Sequence, residues 1–168
     1  MPTKQPIPIP SPRALNLLIV LGCLFAMGMA YYLDGVLGLE PCPLCMTQRG
    51  FLLASGMMTL AALAHNPGLL GQRLYGGLAA ALAVGGAAVA GRHVWLQHLP
   101  EDQVPACGPS LEYMLETLPF SETLRLVLMG DGNCAEVVWT FLGLSIPEQA
   151  LIFFTGLVAM NLFQVFRK

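Results

Sequence analysis

The sequence predicts an all-α membrane protein: a bundle of four transmembrane helices with one long loop outside the cytoplasm that carries short amphipathic helices. Three observations lead there. Hydrophobic residues make up 55% of the 168 positions and charged residues only 11%, against about 25% charged in a soluble domain. Four long apolar runs, 14–32, 46–64, 74–96 and 150–166, each reach the roughly 17–25 residues that cross a hydrocarbon core. Between them lie a short connection at 33–45 and a long one at 97–149. Backbone in lipid must satisfy its own hydrogen bonds, so the runs are expected to be helices of a single membrane domain, 1–168.

The elements can be justified in order. Residues 1–11 hold four of the prolines, which disfavours a helix there and predicts a flexible tail. The first run follows Lys4 and Arg13. Gly28-Met29-Ala30 resembles a small-x-small cleavage site, but the apolar run continues through Tyr31 and Tyr32, so an uncleaved helix is expected. The second run starts beside Cys42-Pro43-Leu44-Cys45. The third ends in Arg92-His93-Val94-Trp95, with Trp95 suited to an interfacial aromatic belt. In the long loop, Leu111, Met114, Leu115 and Leu118, then Leu124, Val127 and Leu128, follow helical spacing on either side of Pro119. Interleaved Glu112, Glu116, Glu122 and Arg125 make these stretches amphipathic, as for helices on a membrane surface or against the bundle ends.

Charge placement orients the bundle. Lys4, Arg13, Arg73, Arg167 and Lys168 fall on one side with no acid among them. All ten acids fall on the other side or at its edge, with only Arg49, Arg92 and Arg125. The excess of Lys and Arg places both termini in the cytoplasm and both cysteine-bearing loops outside.

Four of the five cysteines, Cys42, Cys45, Cys107 and Cys134, are therefore exported, where disulfides persist. Four cysteines allow three pairings; Cys42 with Cys45 and Cys107 with Cys134 is the simplest. Cys23 lies within the first run and reads as a small packed side chain. Haem attachment would need His after the second Cys, where Met46 stands. A thioredoxin-like reading needs a βαβ context. The 26 residues between Cys107 and Cys134 argue against a four-cysteine zinc site, so no metal is expected. A bridge across two intervening residues constrains little unfolded chain, so stabilisation explains Cys42–Cys45 poorly. Arg49, one turn after Cys45, would favour the reactive thiolate or hold a ligand carbonyl; alternatively it snorkels to the headgroups. The competing class is a non-catalytic membrane subunit with structural disulfides or a four-cysteine metal site.

Pro41-Cys42-Pro43-Leu44-Cys45 with Arg49, and Gly132-Asn133-Cys134-Ala135-Glu136 followed by Trp139-Thr140-Phe141-Leu142-Gly143-Leu144-Ser145-Ile146-Pro147, resemble the DsbB family of bacterial inner-membrane disulfide-generating proteins. The resemblance covers all four runs and both outer loops. In the vitamin K epoxide reductase family, by contrast, the loop cysteines precede the membrane Cys-x-x-Cys. The resemblance implies an enzyme: a quinone-dependent thiol oxidoreductase of the inner membrane. It would reoxidise DsbA, a soluble periplasmic thiol oxidase. It implies that Cys107 forms the mixed disulfide with DsbA, with Cys134 as its partner, and that electrons pass to Cys42–Cys45. It also implies that Cys45 stands beside a bound ubiquinone or menaquinone, that Arg49 positions the ring, and that His93 lies near it. DsbA is a strong oxidant, at about −120 mV, so its reoxidation needs a comparably oxidising acceptor or a drained sink. No Gly fingerprint suggests a nucleotide cofactor, and nucleic acid is not among the expected partners.

Overall fold

The computed structural model describes residues 11–109 and 111–167. Lys4, Lys168 and the tail at 1–10 lie outside the described residues. The chain folds into helices α1 (Pro12–Leu37), α2 (Pro43–His65), α3 (Leu69–Gln97), α4 (Leu111–Thr117), α5 (Phe120–Met129), α6 (Gly132–Ala135) and α7 (Ile146–Phe166). A 3-10 turn (Glu101–Gln103) follows α3, and a two-stranded antiparallel hairpin, β1 (Thr140–Phe141) with β2 (Leu144–Ser145), precedes α7.

Among the described residues three helices, α1, α3 and α7, are long and apolar enough to cross a membrane, as suits a multi-pass membrane protein. α2 is 23 residues long, but Gln48, Arg49, Ser55, Thr59 and His65 make it more polar than the others. The outward faces of α1 and α3 are leucine-rich: Leu18, Leu21, Leu24, Leu74 and Leu78 are all exposed. An apolar surface of that extent suits lipid rather than water.

The helix ends follow from local chemistry. Ser11 caps α1 by accepting from the Ala14 N–H at 3.2 Å, and Pro12 occupies the first turn, where its missing N–H costs nothing. No breaker intervenes before Gly38, whose left-handed φ of 66° ends the helix. α1 therefore extends past the expected boundary at 32 and carries Asp34 in its last turn. The first connection is shortened from 33–45 to the residues before Pro43. Cys42 is the N-cap of α2 and Pro43 opens its first turn, so the helix starts ahead of the expected residue 46. α3 and α7 likewise begin ahead of their apolar runs, at Leu69 and Ile146.

α3 is the central helix, packed on α2 along one side and α7 along another. Its small residues permit the close approach. A Cβ on Gly86 would come within 2.3 Å of the Phe154 ring on α7. The core gathers Leu15, Ile19, Cys23, Met27, Leu52, Ala83, Ala90, Phe154 and Leu157. Cys23 is thus a packed core side chain within this apolar cluster. At the end where α1 begins, three buried amides join three helices. Gln164 donates to Asn16 Oδ1 at 2.8 Å, and Asn16 donates to Gln72 Oε1 at 3.2 Å.

Pro119 separates α4 from α5, as the periodicity of the long loop requires. Thr123 Oγ1 donates to the Met114 carbonyl at 3.0 Å and ties the two together. Gly130 then brings the chain down onto the bundle. Its φ is 74°, and a Cβ there would lie 2.4 Å from Leu96, so a larger residue is barred on both counts.

Candidate functional site: a thiol cluster at one end of the bundle

The start of α2 supplies two of the sulfurs. Cys42 at the N-cap and Cys45 in the first turn share one helix terminus, whose unsatisfied N–H groups favour negative charge. Both are half-buried. His93, one turn before the end of α3, enters from the neighbouring helix and is only 3% exposed. Its Nε2 is 3.8 Å from Cys42 Sγ, and its Nδ1 is 3.9 Å from Cys45 Sγ. Gln48, one turn into α2, places its amide nitrogen 3.1 Å from the same Nδ1 and fixes the ring. The two sulfurs and a ring nitrogen lie within 4.8 Å of one another, a spacing and donor set that could also ligate a soft metal ion.

Arg49 faces away from His93 toward α1. Its guanidinium forms a two-pronged ion pair with Asp34: Nη1 bonds Oδ2, and Nη2 lies 2.9 Å from Oδ1. The Tyr31 ring centroid is 5.9 Å from its central carbon. Two of the five guanidinium N–H donors are used on Asp34, which leaves three.

The loop brings the other two cysteines to the same end. Asp131 caps α6 by accepting from the Cys134 N–H at 3.2 Å, which sets Cys134 facing the bundle. It is fully buried in an apolar cluster with Leu44, Val89 and Leu96, against which Cys42 packs. Its interaction with the Cys42 thiol, and then burial, push the Cys134 thiol up. Cys107 remains exposed. It sits just outside α6: the Gly132 N–H donates to the Ala106 carbonyl at 3.2 Å, and a Cβ on Gly132 would be 3.1 Å from Cys107 Sγ. All five cysteines are free thiols in this structure.

Cys42, Cys45, Cys134 and His93 are thus brought together, with Cys107 at the rim and Arg49 on the side toward α1. The sequence reasoning counted Asp34 only as a loop acid and passed over Gln48. Periodicity from Cys45 could have found Gln48, since three residues on a helix return to the same face. Nothing local marks Asp34 as the partner of Arg49.

A family model described as "Disulfide bond formation protein DsbB" matches residues 12–164. "Disulfide bond formation protein B" of Saccharophagus degradans is 52% identical over 160 residues, covering 95% of this chain and 96% of the relative. "Disulfide bond formation protein B 1" of Pseudomonas aeruginosa is 49% identical over 162 residues, covering 96% and 99%. "Disulfide bond formation protein B" of Hahella chejuensis is 52% identical over 156 residues, covering 93% and 94%. With most of its length matched by the family and four of its five cysteines gathered at one end of a helical bundle, the chain belongs to the DsbB family of disulfide bond formation proteins.

Proposed function

We propose that this protein is a membrane thiol–disulfide oxidoreductase of the bacterial inner membrane. It takes electrons from a DsbA-like periplasmic thiol oxidase and delivers them through two cysteine pairs to membrane ubiquinone or menaquinone. The observation that carries this reading is the spatial order of the thiols. Cys107 is exposed, Cys134 is buried against Cys42, and Cys45 shares His93 with Cys42. Of the four, Cys107 is the exposed one that a soluble protein can reach, and Cys134 connects it to the half-buried pair at the start of α2.

The chemistry balances as thiol–disulfide exchange. A thiolate of the reduced partner attacks Cys107 in the Cys107–Cys134 disulfide, forming a mixed disulfide and releasing Cys134. Cys134 attacks Cys42 in the Cys42–Cys45 disulfide, which leaves Cys45 as the departing thiolate. The partner's second thiolate displaces Cys107 and departs oxidised. Cys107 then attacks Cys134, restoring the loop disulfide and leaving Cys42 and Cys45 reduced. One disulfide has left with the partner, and two electrons rest on the inner pair. With Nδ1 accepting from the Gln48 amide, His93 carries its proton on Nε2, 3.8 Å from Cys42 Sγ, where it can be donated to the Cys42 thiolate.

A bound quinone supplies a two-electron, two-proton sink. The residues present fit one: the spare N–H donors of Arg49 suit a carbonyl oxygen, and exposed Met46 and Tyr31 give the motif an apolar flank. Asp34 holds the guanidinium in place.

In this reading all four long helices cross the bilayer. α2 is the fourth, its polar side chains turned largely toward α1 and α3, and both termini are cytoplasmic. α5 lies on the outer membrane surface, since Phe120, Leu124 and Leu128 form an exposed apolar stripe while Thr123 and Val127 face inward.

Thiol labelling in membranes tests the reading. With reduced partner present, withdrawing quinone should leave the outer cysteines reduced and reactive. Cysteines that stay unreactive under every condition would instead mark a non-catalytic subunit with structural disulfides.

A further inference from the structure

The thiol end of the bundle assembles a donor set that disulfide exchange alone does not require. Cys42, Cys45 and His93 each bring one donor atom to the same place, and the three atoms lie within 4.8 Å of one another. Among the described residues this is the one group of three His, Cys, Asp or Glu side chains so placed. The sulfurs come from the start of α2 and the nitrogen from the end of α3. A bare Cys-x-x-Cys offers two donors; the histidine from the neighbouring helix makes three.

The spacing suits a small thiophilic ion. Tetrahedral zinc, with sulfur at about 2.3 Å and nitrogen at about 2.0–2.1 Å, sets its ligand atoms roughly 3.5–3.8 Å apart. His93 Nε2 lies 3.8 Å from Cys42 Sγ, and Nδ1 lies 3.9 Å from Cys45 Sγ. Closing the three donors onto one ion therefore takes shifts of about 1 Å. A ligating histidine gives one nitrogen to the metal and donates the other N–H to an acceptor. Gln48, whose amide nitrogen is 3.1 Å from Nδ1, supplies that acceptor. Turned over about its last bond, the amide presents Oε1 to an Nδ1–H and leaves the Nε2 lone pair for the metal. Charge balances as well. Two thiolates cancel a divalent ion, and Arg49, one turn beyond Cys45, is already paired with Asp34. A neutral complex is what a half-buried position beside Leu44, Val89 and Leu96 tolerates.

We propose that the reduced Cys42–Cys45 pair and His93 form a binding site for a thiophilic divalent ion, zinc, with water in the fourth position. Binding releases the two thiol protons and moves no electrons. The site exists only while the pair is reduced, because a Cys42–Cys45 disulfide has no thiolate to offer. It is not a four-cysteine site: Cys134 packs near Cys42 but stands outside the group of three, and Cys107 is exposed. The regulatory consequence rests on the relay reading given above. With an ion on it, the inner pair can neither pass its electrons on nor re-form its disulfide, so zinc arrests the reduced protein until it is withdrawn.

The test uses full-length protein in detergent, reduced, freed of reductant without air and titrated with zinc against a chromophoric chelator. One zinc per chain should bind, roughly 100-fold or more tighter than to protein with the pair oxidised. His93→Phe should weaken binding by at least about tenfold. Cys107→Ala combined with Cys134→Ala should leave it nearly unchanged. X-ray absorption at the zinc edge needs no variant and should show two sulfur ligands with two nitrogen or oxygen ligands in the wild type. These readouts do not depend on turnover. Zinc binding of this kind in a protein that oxidises no partner would sink the relay and leave the site standing. Where turnover is present, zinc should stop it in step with occupancy, and a chelator should restore it. The proposal is overturned by equal affinity for the oxidised protein, by unweakened binding in His93→Phe, or by loss of binding in the loop-cysteine variant. Three or four sulfurs around the zinc, or turnover that continues at full occupancy, would overturn it too.

Discussion

His93 Nε2 lies 3.8 Å from the Cys42 sulfur, across 51 positions of sequence. The contact joins the start of α2 to the end of α3 and gives the motif a group that can carry a proton. Replacing His93 with Gln should preserve much of the packing but remove the proton carrier. Turnover should fall by about 10²-fold, with the loss located by rapid-quench alkylation in exchange at Cys42. An unchanged exchange rate would make His93 a packing residue only.

Asp34 and Arg49 form the second link across the site, between α1 and α2. Asp34→Asn should free the guanidinium, so the apparent KM for quinone should rise several-fold while kcat changes less. Arg49→Ala should raise it further. Adding Asp34→Asn to Arg49→Ala should then do little more, because residues acting as a unit are not additive.

The raised Cys134 thiol has a consequence for pH. A raised pKa means that the thiol, not the thiolate, persists as pH increases past the usual cysteine range. In the reduced protein, the exposed Cys107 should alkylate first. Cys134 should lag and accelerate only at more alkaline pH. Alkylation of the two at equal rates, measured by mass spectrometry of labelled peptides, would contradict the buried position against Cys42.

The packing of α3 on α7 has its own test. Gly86→Val would drive side-chain atoms into the Phe154 ring, which already stands 2.3 Å from an added Cβ. Overpacking of that kind costs about 1–3 kcal/mol, so the unfolding temperature should drop. Combining it with Phe154→Ala should recover part of the loss.

What the sequence made legible was what repeats or what is chemically rare. Apolar runs of span length marked the long helices, Pro119 divided α4 from α5, and Cys42-x-x-Cys45 with Arg49 marked the site. What it hid depends on rotation and register between distant segments. Nothing near residue 34 says that α1 continues to Gly38 and turns its Asp toward Arg49. The burial of Cys134 beside Cys42 depends on the seat of Gly130 over Leu96, a contact formed only when the loop folds back. The β1–β2 hairpin is too short to leave a period-2 signal. Gln72 and Asn16 are single polar residues in or beside apolar runs, and their pairing appears only when α1 meets α3.

The relay is tested most directly by following disulfides and electrons together. Purified protein would be given a reduced DsbA-like partner and either ubiquinone or menaquinone. Partner oxidation would be read by thiol titration and quinone reduction by absorbance. One quinone should be reduced for each partner disulfide formed. Cys45→Ser should abolish quinone reduction, and Cys134→Ala should trap the partner on Cys107. Partner oxidation that continues at full stoichiometry without any quinone, or quinone reduction that survives Cys45→Ser, would contradict the account.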